Sequence, residues 1–141
     1  MRNVVAQITN VRSLHVVSQS LIERDAGVPG IGLVWGATGF GKTTAAAWLA
    51  NKVDAVYVRA MAAWTPSTML ASIMRELDAK PVARCAAMVE IIVERLALDG
   101  RPLFVDEADY LVGSPKMLDT LRDLHDIATT PLILIARSSL R

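Results

Sequence analysis

The chain has a single cysteine, Cys85, so no internal disulfide can form. No stretch approaches 18 uninterrupted apolar residues, and no membrane-spanning helix is expected. The first ten residues, MRNVVAQITN, lack the continuous apolar core of a signal peptide. There is no repeat, low-complexity tract or internal linker. Neither sign of charge dominates. The formal net charge is +1, so bulk electrostatics neither demand nor exclude a nucleic-acid partner. Together these absences fit a protein of the cytoplasm without a membrane span. What is there is a composition of 52% hydrophobic and 21% charged residues over 141 positions, enough for one domain with a sizeable core. Cys85 falls in a helical pattern and is expected to be a small core residue.

The densest signal is Gly36-Ala37-Thr38-Gly39-Phe40-Gly41-Lys42-Thr43-Thr44. Its first eight residues fit G-x-x-x-x-G-K-[ST], the P-loop. An apolar run, Ile31 to Trp35, reads as the strand before it, and the Ala-rich stretch Thr44 to Lys52 reads as the helix after it. Glycines at 36, 39 and 41 let the backbone approach a phosphate chain with no Cβ in the way. The N–H groups they free, and the positive end of the helix, face the phosphate oxygens. Lys42 is expected to reach the β- and γ-phosphates, and the Thr43 hydroxyl to ligate Mg²⁺.

A second element supports the first. Arg101 to Asp109, RPLFVDEAD, is an apolar strand that ends in adjacent carboxylates. A strand apolar at every position is buried on both faces, as in a parallel sheet. Acids at its carboxyl end sit where open α/β sheets bind ligands. Asp106 suits a Walker B acid that holds Mg²⁺ through its water shell, and Glu107 suits the base that polarises an attacking water. Asp109 reads as a helix-start or surface acid.

The remaining pattern is regular. Val11, Leu14, Val17, Leu21 and Ile22 predict a leading helix over residues 11–24. Residues 55–59 read as a strand. Thr65-Pro66 opens a helix to about Ala79, residues 83–98 form another with Met88, Val89, Ile92 and Leu96 on one side, and Ser114-Pro115 opens a third through about Ile127. Leu132 to Ala136 is a further buried strand. The order after the first helix is β-α-β-α-α-β-α-β. It predicts a three-layer αβα sandwich on a mainly parallel sheet, with residues 1–29 as helix and linker and residues 30–141 as the nucleotide-binding core. The core is expected to stop short of its last strand and of a helical lid.

The residues GATGFGKTT, LFVDEAD and the strand LILIA, placed like a sensor-1 strand, resemble the AAA+ ATPases. Within them the chain is most similar to the DNA-transposition ATPases, which include the target-selector B proteins of Mu-like transposing phages. The leading helix after ITNVRS and the DEADYL continuation carry that likeness. It implies ATP and Mg²⁺ as cofactors, with residues 36–44 binding ATP, Thr43 and Asp106 on the metal, and Lys42 and Glu107 in hydrolysis. It also implies an ATP-dependent homo-oligomer on duplex DNA, a transposase or other recombination protein as partner, and a bacterial or phage-infected cytoplasm. Arg137 and Ser138 stand where the sensor contact to the γ-phosphate or the attacking water would be.

Other readings stay open. A helicase-loader or initiator-like ATPase, a nucleotide-gated protein-binding switch without DNA binding, and a non-functional nucleotide-binding remnant fit the same motifs. Trp64 is expected to cover a sheet edge rather than touch DNA. Trp35 and Trp48 are expected to pack beside the P-loop. His15 and His125 read as structural or surface residues. Asp119, Asp123 and Asp126 read as a solvated helical face. Arg12 and Arg59 are candidates for DNA or subunit contacts.

Overall fold

In a computed structural model of the chain, residues 3–7, 30–35 and 42–137 are described. Five strands form one sheet: β1 (Asn3–Gln7), β2 (Ile31–Trp35), β3 (Val56–Arg59), β4 (Leu103–Asp106) and β5 (Leu132–Ala136). Their spatial order is β1-β2-β5-β4-β3, and every ladder is parallel. Four helices stand among the described residues: α1 (Lys42–Lys52), α2 (Pro66–Glu76), α3 (Cys85–Asp99) and α4 (Pro115–Ala128). A 3₁₀ turn, Ala108–Leu111, follows β4. The expected αβα fold class is therefore observed.

The alternation of strand side chains builds two cores. Val34, Phe104, Ile133 and Ile135 point to one face, where Ala46, Leu49 and Ala50 of α1 cover them. Val56, Val58, Leu103, Val105 and Leu132 point to the other. There Leu70 and Ile73 of α2, Met88, Ile92 and Leu96 of α3, and Leu121 and Leu124 of α4 close over them. All four residues of β4 are buried, because that strand is covered on both faces. No helix among the described residues is long and apolar enough to cross a membrane.

Local chemistry sets the helix ends. At α2, Thr65 and Thr68 form a capping box: the Thr68 N–H donates to Thr65 Oγ1 at 3.2 Å and the Thr65 N–H to Thr68 Oγ1 at 2.8 Å. Pro66 occupies the first turn, where no N–H is needed. At α4 the Met117 N–H donates to Ser114 Oγ at 3.3 Å and Pro115 again occupies the first turn. Gly100, at φ 65°, ends α3 in the left-handed conformation that glycine adopts without strain. Helix α2 stops before the expected Ala79, because Asp78 turns left-handed at φ 56° and the Ala79 N–H folds back to Met74 O.

Four expectations need revision or fall elsewhere. β1 lies within the stretch assigned to a leading helix and linker. Its apolar run is only Val4-Val5-Ala6, too short to signal a strand. The helix expected over residues 11–24 lies outside the described residues, with Arg12 and His15. Cys85 is exposed, because the first turn of α3 overhangs the core and burial begins at Met88. Trp48 is 50% exposed, since α1 buries the stripe of Ala46, Leu49 and Ala50 and Trp48 faces away from it. The Lys52 ammonium sits 4.9 Å from its ring centroid, a cation–π contact at the surface.

Candidate functional site

Because every strand runs the same way, all carboxyl ends meet at one edge. β2 ends at that edge with Trp35, and the next described element is α1, beginning at Lys42. Residues Gly36, Ala37, Thr38, Gly39, Phe40 and Gly41 lie outside the described residues. Lys42, Thr43 and Thr44 form the first turn of α1. At this edge β2 leads into α1 on one face, while β4 leads through the 3₁₀ turn to α4 on the other.

Asp106 ends β4 on this edge and is wholly buried. It shares the strand face of Phe104, the side of α1. Its two oxygens accept different donors. Oδ1 takes the Glu107 N–H at 2.8 Å, and Oδ2 takes the hydroxyl of Tyr57 at 2.5 Å. Tyr57 lies on β3, opposite Phe104 in register. Burial, and then the hydrogen bond and negative charge of Asp106, push the Tyr57 phenol above the ordinary tyrosine range. It therefore remains a donor to the carboxylate.

Glu107 follows directly, with φ 56° and ψ 37°. This left-handed conformation is disfavoured for a residue with a Cβ. It turns the chain sharply out of β4 into the 3₁₀ turn. The Tyr110 N–H closes that turn on Glu107 O at 3.1 Å. The Glu107 carboxylate pairs with Arg137, Nε to Oε2 at 3.8 Å, and the Arg137 N–H donates to Asp109 Oδ1 at 2.8 Å. Asp109 thus ties the end of β5 to the turn after β4. Arg59, Met61, Glu107, Tyr110 and Arg137 line a cleft of about 300 Å³ beside these residues. Among the described residues no group of three or more His, Cys, Asp or Glu could hold a metal ion, and Asp119, Asp123 and Asp126 are exposed.

The structure thus brings together Asp106, Glu107, Arg137 and, across the edge, Arg59. It separates others from the site. Trp64 is 6% exposed within the larger core, and its indole N–H has no partner among the described residues. His125 is buried. Its Nε2 accepts the Gly30 N–H at 2.9 Å while Nδ1 faces Asp126 at 3.0 Å, so it braces the entry to β2. Ser138 lies outside the described residues. Tyr57 is the contributor that the motifs do not reveal. Its only sequence signal is its place on the strand AVYVR, and its partner depends on the register of β3 against β4.

The AAA domain family matches residues 25–141. No curated protein matches the chain in sequence. Among solved structures, the Aeropyrum pernix ORC1 protein in complex with DNA is similar, with a TM-score of 0.63 and 22% identity over 91% of this chain and 38% of that one. A Signal Transduction ATPase with Numerous Domains (STAND) protein with a tetratricopeptide repeat sensor, from Pyrococcus horikoshii, has a TM-score of 0.55 and 16% identity over 95% of this chain and 21% of that one. At these identities the likeness is one of fold. This chain spans well under half of either protein.

Proposed function

The chain belongs to the AAA domain family of P-loop ATPases, and on that premise we propose that it binds and hydrolyses ATP and works on duplex DNA. The observation that carries this reading is the pair Asp106–Glu107, set at the same sheet edge from which β2 runs into Lys42. The residues suit a magnesium nucleotide. Carboxylate oxygens are the hard ligands Mg²⁺ prefers. Asp106, buried and held at both oxygens, is a fixed acceptor for the metal's water shell. In this reading residues 36–44 cradle the phosphates, with Lys42 on the β- and γ-phosphates, and Thr43 is a metal ligand beside Asp106. Bound Mg²⁺ neutralises phosphate charge. Glu107 accepts a proton from the water that attacks the γ-phosphorus, as the bond to the β–γ bridging oxygen breaks.

The finer assignment is a transposition ATPase that assembles on duplex DNA and activates a recombination partner. It rests on the likeness of the sequence motifs. The fold similarity to the ORC1 protein in complex with DNA supports association with DNA, and favours an initiator-like role as the second reading. The test is fluorescence anisotropy of labelled duplex and single-stranded DNA at two salt concentrations, with and without MgATP, with Lys42→Ala alongside. Duplex binding that needs both ATP and Lys42, and that weakens with salt, is expected. Preference for single strands points to the loader-like reading. No DNA binding in any nucleotide state sinks the DNA assignment, and no nucleotide binding sinks the ATPase assignment.

A further inference from the structure

Both oxygens of Asp106 are engaged by donors of this chain, and the two donors differ in kind. The Glu107 N–H belongs to the adjoining peptide and is supplied by almost any residue at that position. The Tyr57 hydroxyl comes from another strand, 49 positions away in sequence. Tyr57 stands opposite Phe104, two residues short of Asp106 on the same face, so its side chain reaches along β4 to the carboxylate. It packs against the core beneath α1, which holds the hydroxyl at the end of a rigid ring. Phenylalanine would fill that space without the donor.

We propose that Tyr57 is a positioning residue for the divalent cation that accompanies the nucleotide. The inference rests on the reading that this edge binds a magnesium nucleotide. Each carboxylate oxygen has two lone pairs, and each spends one on the donor described. The remaining lone pairs are what a metal's water shell meets. With a donor on each oxygen, rotation of the carboxylate about its Cβ–Cγ bond is blocked, and the lone pairs keep one direction. Without Tyr57 the hold that β3 places on Oδ2 is lost. Partners that orient metal-binding groups in this way typically change metal affinity by about 10–100-fold.

The test is a titration of Mg²⁺ into protein saturated with a fluorescent ATP analogue, for the natural chain and for Tyr57→Phe. Nucleotide affinity in EDTA is measured in parallel. The expected result is a rise of about tenfold in the Mg²⁺ concentration at half effect, with affinity in EDTA changed less than about twofold. An unchanged Mg²⁺ dependence overturns the proposal. So does an equal weakening with and without Mg²⁺, which would mark Tyr57 as structural only. If the natural chain binds no nucleotide even in EDTA, the ATPase reading fails and this inference falls with it. Should Tyr57→Phe not fold, the natural chain carrying 3-fluorotyrosine decides. It has two tyrosines, and Tyr110→Phe assigns their ¹⁹F signals. The Tyr57 signal is expected to move when Mg²⁺ joins bound ATP, and a signal that stays in place overturns the proposal.

Discussion

Glu107 combines a strained backbone with the carboxylate proposed above as the general base. Its left-handed conformation costs of order 1–3 kcal/mol, and a glycine would adopt it freely. The cost is offset locally by its N–H on Asp106, its carbonyl under Tyr110 and its carboxylate beside Arg137. Strain of this sort gathers where geometry matters more than stability. Under the proposed function Glu107→Gln keeps the shape and removes the proposed base, so nucleotide binding is expected to stay within about twofold while phosphate release falls by about 10²–10⁴. Equilibrium nucleotide titration and a phosphate-release assay check both parts. Loss of binding in step with turnover would place Glu107 in nucleotide binding instead. The place of the two acids at a strand's carboxyl end was legible in the sequence, because an apolar run that stops at carboxylates marks where a buried strand ends. Tyr57 was not, because its importance lies in the pairing of β3 with β4, and one strand's sequence does not state its neighbour.

Helices α2 and α4 begin where sequence chemistry places them. Thr65-Pro66 and Ser114-Pro115 satisfy orphan N–H groups with a hydroxyl and spare one with proline. Of their C-terminal ends, that of α4 falls at Ala128 beside the expected Ile127, whereas α2 stops at Glu76, short of the expected Ala79, and residues other than glycine close both. Asp78, just past the end of α2, and Thr129, the C-cap of α4, both take positive φ. A β-branched residue in the left-handed region is an outlier, and glycine is the residue that suits such a helix end. Thr129→Gly is therefore expected to stabilise the fold by about 0.5–1 kcal/mol, read as a rise in the midpoint of urea unfolding with its slope unchanged. A fall in the midpoint would mean that the side-chain interactions of Thr129 outweigh the backbone strain. β1 escaped the sequence for a different reason. An edge strand of five residues has too few apolar positions to establish a period, and its identity comes from pairing with β2.

At the scale of the whole molecule, β5 joins the sheet together. It pairs with β2 on one side and with β4 on the other, so the strand that runs into Lys42 and the strand that ends in Asp106 share it as their only link through the ladder. Its register sets Ile31 against Leu132 and Leu103 against Leu132, from opposite ends of the core sequence. This order of assembly has a cost in time. Distant parallel pairings are slow to form, because loop closure must precede the contacts that reward it. A growing chain can make β3 against β4, yet β2 waits with an open flank until the last strand emerges, and an open strand flank invites pairing with other chains. A chain ended at residue 131 is expected to be digested rapidly by protease and to aggregate, whereas one that includes residues 132–136 resists. Protease resistance of the shorter chain would show that the two halves of the sheet close without β5. During synthesis the edge that carries Asp106 and Glu107 thus joins β2 only once β5 has emerged, so a chain that stops short of β5 holds the two acids apart from the strand that leads to Lys42.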